Sequence, residues 1–265
     1  GVDSREGRIE SATLKLERAR EIDPRSAPTL VALQQNYILQ RRYTEARDVG
    51  QAAIALVPGD INIVQWQAMG YLGQGDLKGA REVIRAAIDR GNPAPAVAAF
   101  FGGYQEVSWA LEDAERQLLF RLTPAAFDND RAWWGQTMAI AYWQQGNLVA
   151  ARAYADSALP ATAVQVAASP RDGQTHGLHA LMLAYTGKKA EAIAEAKQAV
   201  ELATPGGEGN VHYTMLLLIR TYLATGEPEL AMDQIEALLP RPYVVTRAWL
   251  AIDPTFLILD EPTRG

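Results

Sequence analysis

Three histidines are the residues whose type and spacing come closest to a metal site. His176 and His179 are three residues apart, which places both imidazoles on one face of a helix, and His212 follows in a later segment as a third ligand. Imidazole nitrogens bind zinc and other transition metals. No carboxylate stands in tight register with these histidines, so packing or surface roles suit them better. We predict no metal and no cofactor.

A glycine-rich segment has the composition of a phosphate-binding loop. It reads Gly73-Gln-Gly75-Asp-Leu-Lys-Gly79 and lies between two predicted helices with no preceding strand. A phosphate loop follows a strand and contains G-x-x-x-x-G-K-[ST]. The only Gly-Lys pair in the chain, Gly187-Lys188, is followed by another lysine. The segment is therefore interpreted as a turn between helices.

The last nine residues, LILDEPTRG over 257–265, resemble the Walker B segment of ABC transporter ATPases. That resemblance implies a magnesium role for Asp260 and a water-positioning role for Glu261. The phosphate loop that such a site needs is missing, and the chain shows no nucleophile–base pair or carboxylate pair. The sequence therefore predicts a protein that is not an enzyme.

Composition narrows the class of partner. The chain has 265 residues, a formal net charge of -6, a pI near 5.2 and no cysteine. Disulfides and thiolate metal sites are excluded, and a phosphate backbone would be repelled, so we expect no nucleic-acid partner. No segment approaches the roughly 20 apolar residues of a membrane span, so we expect a soluble protein without membrane insertion. Cytoplasmic and extracytoplasmic locations both stay open. The first residue is glycine, from which we expect that residues upstream have been removed.

A sequence repeat organises the chain. Ala12, Ala46 and Ala80 are evenly spaced, and Tyr37 and Tyr71 keep the same interval. Later segments repeat one shorter spacing, in which an alanine follows a turn glycine by five residues: Gly146 and Ala151, Gly187 and Ala192, Gly226 and Ala231. The long interval matches the period of about 34 residues that is typical of tetratricopeptide repeats.

Residues 61–94 resemble one complete unit of the tetratricopeptide-repeat family. Ala68 and Tyr71 lie on the first helix, Gly75 opens the turn, and Ala80 and Ala87 lie on the second helix. The resemblance implies an all-α fold: a right-handed α-solenoid of antiparallel helix pairs, with about six pairs after a leading half-repeat. Glycine at the turn provides a left-handed helix cap, and the next Asp or Asn caps the following helix.

The predicted organisation is one array with an irregular middle. It comprises a half-repeat helix over 1–26, two regular repeats over 27–94, a degenerate repeat over 95–131, three repeats with longer loops over 132–244, and a C-terminal cap or tail over 245–265. Loops around 160–173 and 203–210 are expected to be insertions. The leading helix carries an apolar stripe of Ile9, Ala12, Leu16 and Ala19 that must bury against a partner.

The segment 238–256 resembles the closing segment of tetratricopeptide arrays attached to bacterial serine/threonine kinases, adenylate cyclases and winged-helix regulators. In those arrays the segment packs as a cap over the last helix pair. Tyr243, Trp249, Ile252 and Phe256 are the apolar residues expected to do so here.

The first helix of each pair lines the concave side of such an array, which makes its outward residues the predicted peptide-binding groove. The predicted groove residues are Gln35, Asn62, Gln65, Met69, Trp133, Gln136, Trp143, Gln144 and His212. No Lys or Arg belongs to this set, so the carboxylate clamp of chaperone-binding relatives is not expected. Trp133 and Trp143 would anchor a peptide, although tryptophans in helices more often pack between repeats.

These observations predict a non-catalytic scaffold or peptide-binding module that belongs to a larger bacterial protein. Two alternatives remain open. The open ends of the array could join copies head to tail into a homo-oligomer or polymer. The chain could also be the sensor or regulatory arm of a kinase or a transcription regulator.

Overall fold

The computed structural model describes residues 9–203 and 210–257, and these ranges are helical with no β-strand. They contain fourteen α-helices and two short 3-10 helices, Ser108–Ala110 and Pro124–Phe127. The α-helices are α1 Ile9–Ile22, α2 Ala27–Leu39, α3 Tyr43–Leu56, α4 Ile61–Leu72, α5 Leu77–Asp89, α6 Ala94–Gly103, α7 Asp113–Leu119, α8 Arg131–Gln144, α9 Leu148–Ala168, α10 Gly173–Tyr185, α11 Lys189–Leu202, α12 Val211–Ala224, α13 Pro228–Leu238 and α14 Arg247–Leu250. The predicted all-α fold is confirmed. No helix in the described ranges is both long and apolar enough to cross a membrane.

Polar caps begin the helices. Six of them start after an Asp or Asn whose side-chain oxygen accepts a hydrogen bond from a backbone N–H two or three residues later: Asp60, Asp76, Asp130, Asn147, Asp172 and Asn210. Such a cap satisfies one of the N–H groups that the first helical turn leaves unpaired. The predicted capping by Asp76 and Asn147 is confirmed.

In four helix pairs, a glycine in the left-handed region of backbone conformation follows the first helix. Gly75, Gly146, Gly187 and Gly226 have φ angles of 79°, 73°, 85° and 72°. This conformation costs glycine nothing, because it has no Cβ. The equivalent residue one repeat before Gly75 is Arg41, with φ 61°. The turn geometry is therefore kept even where the glycine is missing.

The chain divides into two compact units. Unit 1 comprises Gly1–Phe101, Ala110–Arg116 and Pro242–Ile252, and unit 2 comprises Gly102–Trp109, Gln117–Arg241 and Asp253–Gly265. In unit 1 the pairs are α2 with α3 and α4 with α5, and α1 packs on α2. In unit 2 the pairs are α8 with α9, α10 with α11 and α12 with α13. The single array predicted from the sequence stays a prediction.

First helices also contact one another, as stacked repeats require: α2 contacts α4, α8 contacts α10, and α10 contacts α12. Within the helix pairs, small residues make close approach feasible. Ala158 of α9 is 1% exposed, and a Cβ on Gly135 of α8 would lie 2.8 Å from its methyl group. Ala192, Ala196 and Ala199 of α11 are 0% exposed. The repeated alanines are thus the residues at which helices meet.

One predicted insertion is a helix instead. Residues 148–168 form a single helix of 21 residues with Pro160 inside, so the loop begins only after Ala168. The prediction of a loop starting near 160 is wrong. Proline lacks the N–H of a regular helical turn, but Pro160 is exposed and Thr162, 0% exposed, holds the second half of α9 in the core. Of the other predicted loop, 204–209 lies outside the described residues.

The C-terminal segment divides between the two units. Tyr243 and Trp249, 5% and 0% exposed, belong to unit 1, where the Thr246 hydroxyl donates a 2.7 Å hydrogen bond to the carbonyl of Gly73. That Tyr243, Trp249 and Ile252 cover the last helix pair stays a prediction. Phe256 does meet the last pair, since the Arg220 guanidinium of α12 lies 5.5 Å from its ring centre.

Candidate peptide-binding face

Equivalent residues of the first helices can be found by counting back from the turn glycine that ends each helix. Counted from Gly146, the α8 residues Trp133, Gln136, Ile140 and Gln144 fall on one side of the helix, because an α-helix has about 3.6 residues per turn. We call this side of α8, α10 and α12 the inner face of unit 2, and that of α2 and α4 the inner face of unit 1. The same count from Gly226 gives the α12 residues Tyr213, Leu216, Arg220 and Ala224.

This register places the inner face of α12 beside the predicted residue His212. His212 lies one residue before Tyr213, and one residue rotates a helical position by about 100°. The inner-face residues of α12 are therefore Tyr213 and Arg220, both of which sequence reasoning missed. Two signals could have found them: the count back from Gly226, and the lone charge in the apolar run MLLLIRTYLA.

Much of the inner face is covered by the chain itself. Gln65 and Met69 in unit 1 are 6% and 4% exposed, and Gln136 in unit 2 is 6% exposed. These three residues were expected to face a guest, and their burial removes them from the accessible surface. Gln35 is half-buried, and Asn62 is exposed. The α10 residue in the same register as Asn62 is Gln174, which is also exposed.

A segment of unit 2, residues 103–108, lies directly on the inner face of that unit. Ser108 donates from its hydroxyl to Gln144 Oε1 of α8 at 2.9 Å. Gln105 donates from Nε2 to the hydroxyl of Tyr213 at 3.0 Å, and its backbone carbonyl accepts from Arg220 at 3.3 Å. We call residues 103–108 the strap.

Arg220 is the polar centre of this face. It is 3% exposed, and it donates to Asp253 Oδ2 at 2.8 Å and to the Thr255 hydroxyl at 2.7 Å. Asp253 is 0% exposed. A buried guanidinium requires such a counter-charge, since removing a charge from water is costly. The sequence prediction of a groove without basic residues overlooked this group, although its charge is already balanced within the chain.

The two predicted tryptophan anchors have packing roles. Trp143 stacks on Tyr185 of α10 with ring centres 4.5 Å apart. Trp133 makes an edge contact with Phe127 at 5.0 Å, and a Cβ on Gly103 would lie 2.5 Å from its Nε1. Both rings are half-buried. Their contribution as peptide anchors stays a prediction.

The histidines have contacts within the fold. His176 is 3% exposed, with Nδ1 2.7 Å from Glu195 Oε1, and His179 Nδ1 lies 2.7 Å from the Thr162 hydroxyl. Burial lowers the pKa of His179, and burial followed by the nearby Arg241 lowers the pKa of His212. Within 9–203 and 210–257, no group of three or more His, Cys, Asp or Glu residues could hold a metal ion. The Asp260-Glu261 segment lies outside the described residues.

Burial also raises the pKa of two tyrosines beside the inner face of unit 2. The pKa values of Tyr185 and Tyr213 are shifted upward mainly because the phenolate would lose its hydration. Both therefore stay neutral at physiological pH. The Tyr213 hydroxyl can accept and donate hydrogen bonds but carries no charge, which makes this end of the face suited to neutral polar groups.

Residues 137–157 match a family model described as tetratricopeptide repeat. This region runs from α8 through the Gly146 turn into α9. No curated protein matches the chain.

Several solved structures resemble the chain at low identity. A tetratricopeptide repeat protein from Parabacteroides merdae shares 17% identity over 98% of this chain and 95% of its own, with a TM-score of 0.49. Pseudomonas aeruginosa pilF shares 15% over 88% and 96%, with a TM-score of 0.41. The TPR2AB domain of yeast Sti1, solved with pHSP90, shares 16% over 98% and 95%, with a TM-score of 0.32.

Proposed function

We propose that the chain is a non-catalytic binding module that holds a short segment of another protein on the inner face of its first helices, as its match to a tetratricopeptide-repeat model over residues 137–157 suggests. One observation carries this proposal. The inner face of unit 2 already holds the strap through Gln144, Tyr213 and Arg220. Side chains of two first helices thus recognise polypeptide, which is the interaction that a peptide-binding module performs.

The accessible part of the inner face points to uncharged polar recognition. Asn62 and Gln174 are exposed, and they occupy the same register position when counted back from their turn glycines, Gly75 and Gly187. Amide side chains both donate and accept hydrogen bonds, so they can bind peptide groups irrespective of charge. The amide-rich groove of the sequence prediction is therefore kept, reduced to the residues that a guest can reach.

A matched pair of substitutions tests the proposal. Peptides selected from a random library on the purified chain serve as probes. Gln174→Arg adds a bulky charge to the inner face, whereas Gln198→Arg makes the same change at an exposed glutamine of α11. We expect Gln174→Arg to weaken binding about tenfold, equivalent to about 1.4 kcal/mol, and Gln198→Arg to leave it unchanged. Equal binding by both variants would remove the inner face as the site.

Membership of a larger bacterial protein, as a sensor or regulatory arm, is part of the same proposal and rests on the resemblance of the segment 238–256 to kinase-, cyclase- and regulator-linked arrays. Head-to-tail assembly is the second candidate. It needs apolar surface at the ends of the array, and among the described residues α1 carries exposed Leu14 and Ile22 while α13 carries exposed Leu230 and Met232. Sedimentation velocity over a wide concentration range separates the two: monomer throughout fits the binding module, and species that grow with concentration would favour assembly.

A further inference from the structure

We propose that the strap is a built-in occupant of the inner face of unit 2 and that a guest of matching chemistry binds by replacing it. The guest would be a short turn-forming segment of a partner protein with an amide side chain and, three residues later, a hydroxyl. This inference rests on the proposed function, and it adds the chemistry of the partner and the way in which access is controlled.

The shape of the strap defines the shape of the guest. The N–H groups of Val107 and Ser108 both donate to the carbonyl of Tyr104, at 2.9 and 2.8 Å, which closes a tight turn. This turn directs the side chains of Gln105 and Ser108 to two different helices, α12 and α8. A guest must therefore present its amide and its hydroxyl from one compact turn.

Charge on the inner face selects an uncharged group at the amide position. The charge of Arg220 is already balanced by Asp253, which is fully buried beside it. Glu106 of the strap, 6% exposed, already places a carboxylate near Tyr213. A further carboxylate in place of the Gln105 amide would add to this buried negative charge, which is strongly unfavourable. The neutral Tyr213 hydroxyl next to it adds no positive charge. The fitting side chain is therefore an amide.

The strap fills this site imperfectly. Among the residues that the structure describes, three buried atoms of the contact have no hydrogen-bond partner: Gln105 Oε1, Gln144 Nε2 and Arg220 Nε. Unsatisfied buried polar atoms weaken a contact relative to one in which all are paired. A guest that pairs these atoms would bind better than the strap does, and this difference is what makes exchange feasible.

Tethering explains why the strap nevertheless holds the site in the free protein. A covalently linked segment competes at an effective concentration on the order of millimolar. A free peptide with the same sequence would therefore bind the intact chain poorly at micromolar concentrations. Weakening the strap while keeping the face that it occupies should expose the site.

The test uses two peptides and two proteins. The probe is a labelled peptide with the sequence of residues 103–110, GYQEVSWA, and the matched control, GYEEVSWA, replaces only the amide by a carboxylate. The proteins are the intact chain and its Gln105→Ala/Ser108→Ala variant, which keeps Gln144, Tyr213 and Arg220. Fluorescence anisotropy should show that the variant binds the probe at least about tenfold more tightly than the intact chain does, and the control peptide about tenfold more weakly than the probe.

Two results would overturn the inference. In one, the folded variant binds the probe no better than the intact chain does. In the other, adding Tyr213→Phe to the variant leaves the gain in affinity intact, which would place the probe elsewhere. A variant that forms dimers by light scattering would show that a second copy, and not a partner peptide, takes the site, and would equally contradict the proposed guest.

Hydrogen exchange on the unaltered chain decides the matter if the variant does not fold. A replaceable strap requires the amides of 105–108 to exchange at least about 100-fold faster than those in the centre of α12, because local opening costs less than global unfolding. Equal rates would make the strap a permanent part of the core and refute the inference. The proposed function would then be decided separately by the Gln174→Arg comparison, which does not depend on the strap.

Discussion

Replacing Arg220 by methionine should cause one of the largest losses of stability that a single substitution in unit 2 can produce. The change keeps a similar side-chain length, but it removes the guanidinium contact with the Phe256 ring and the hydrogen bonds to Asp253, Thr255 and the Gln105 carbonyl. Asp253, 0% exposed, then keeps a buried charge without its counter-ion. Breaking a buried pair from one side costs about 3–5 kcal/mol.

That loss is large against the total stability of a domain, which is about 5–15 kcal/mol. A matched double variant separates charge from shape. Asp253→Asn in the Arg220→Met background removes the stranded charge while keeping a similar volume, so it should recover a substantial part of the loss. The two substitutions are therefore expected to be non-additive, as is usual for residues in one buried network.

Urea unfolding followed by circular dichroism and tryptophan fluorescence is the assay. If the two probes give the same transition, unfolding is two-state and a free energy of unfolding can be calculated. If the dependence of that free energy on urea concentration is unchanged between variants, a shift in the midpoint reports a change in stability. The reasoning would be refuted if Arg220→Met lost less than about 1 kcal/mol. It would be refuted equally if the double variant lost as much as the sum of the two single variants.

Two further predictions concern pH and packing. Burial lowers the pKa of His179 and His212 below the ordinary value of 6.5, so the folded state binds protons more weakly than the unfolded state. The stability that the two neutral histidines contribute is fully present above pH 6.5, and it is lost as the pH falls through their lowered pKa values. A free energy of unfolding that stays constant from pH 7 to 5 would contradict this. A Cβ on Gly173 would lie 2.4 Å from the Ala199 carbonyl oxygen, whereas one on Gly59 meets nothing within 4 Å. Gly173→Ala should therefore cost about 1–3 kcal/mol and Gly59→Ala less than about 0.5 kcal/mol in thermal unfolding, and equal costs would contradict the packing of α10 on α11.

The repeat was predictable because it depends on the spacing of residues within one helix pair. A turn glycine and an alanine five residues later fix where one helix ends and where the next may approach, and both requirements act within one helix pair. Gly146 has the expected positive φ, and Ala151 is 0% exposed. The repeat interval also locates the equivalent turn at Arg41, where no glycine marks it.

The occupants of the inner face could not be predicted in the same way. Ser108 meets Gln144 across 36 positions, and Gln105 meets Tyr213 across 108. Such contacts depend on how an irregular segment folds back, and no periodic pattern encodes that. The contact of Thr246 with Gly73 could not be predicted for the same reason, because it spans 173 positions.

The sequence pattern does contain information on the inner face of α12. Counting back from the turn glycine places Tyr213 and Arg220 in register with Trp133 and Ile140. The predicted site residue His212 lies one residue before Tyr213, about 100° away around the helix. Register on a helix is therefore best set by the turn and not by the polarity of individual residues.

The most direct test of the inner face as the binding surface is a map of backbone amide chemical shifts in the presence of a library-selected peptide. The account predicts that the largest changes fall on the first helices of unit 2, at and beside Gln174, and that α9, α11 and α13 change little. Changes concentrated on those second helices, with the first helices unaffected, would contradict it.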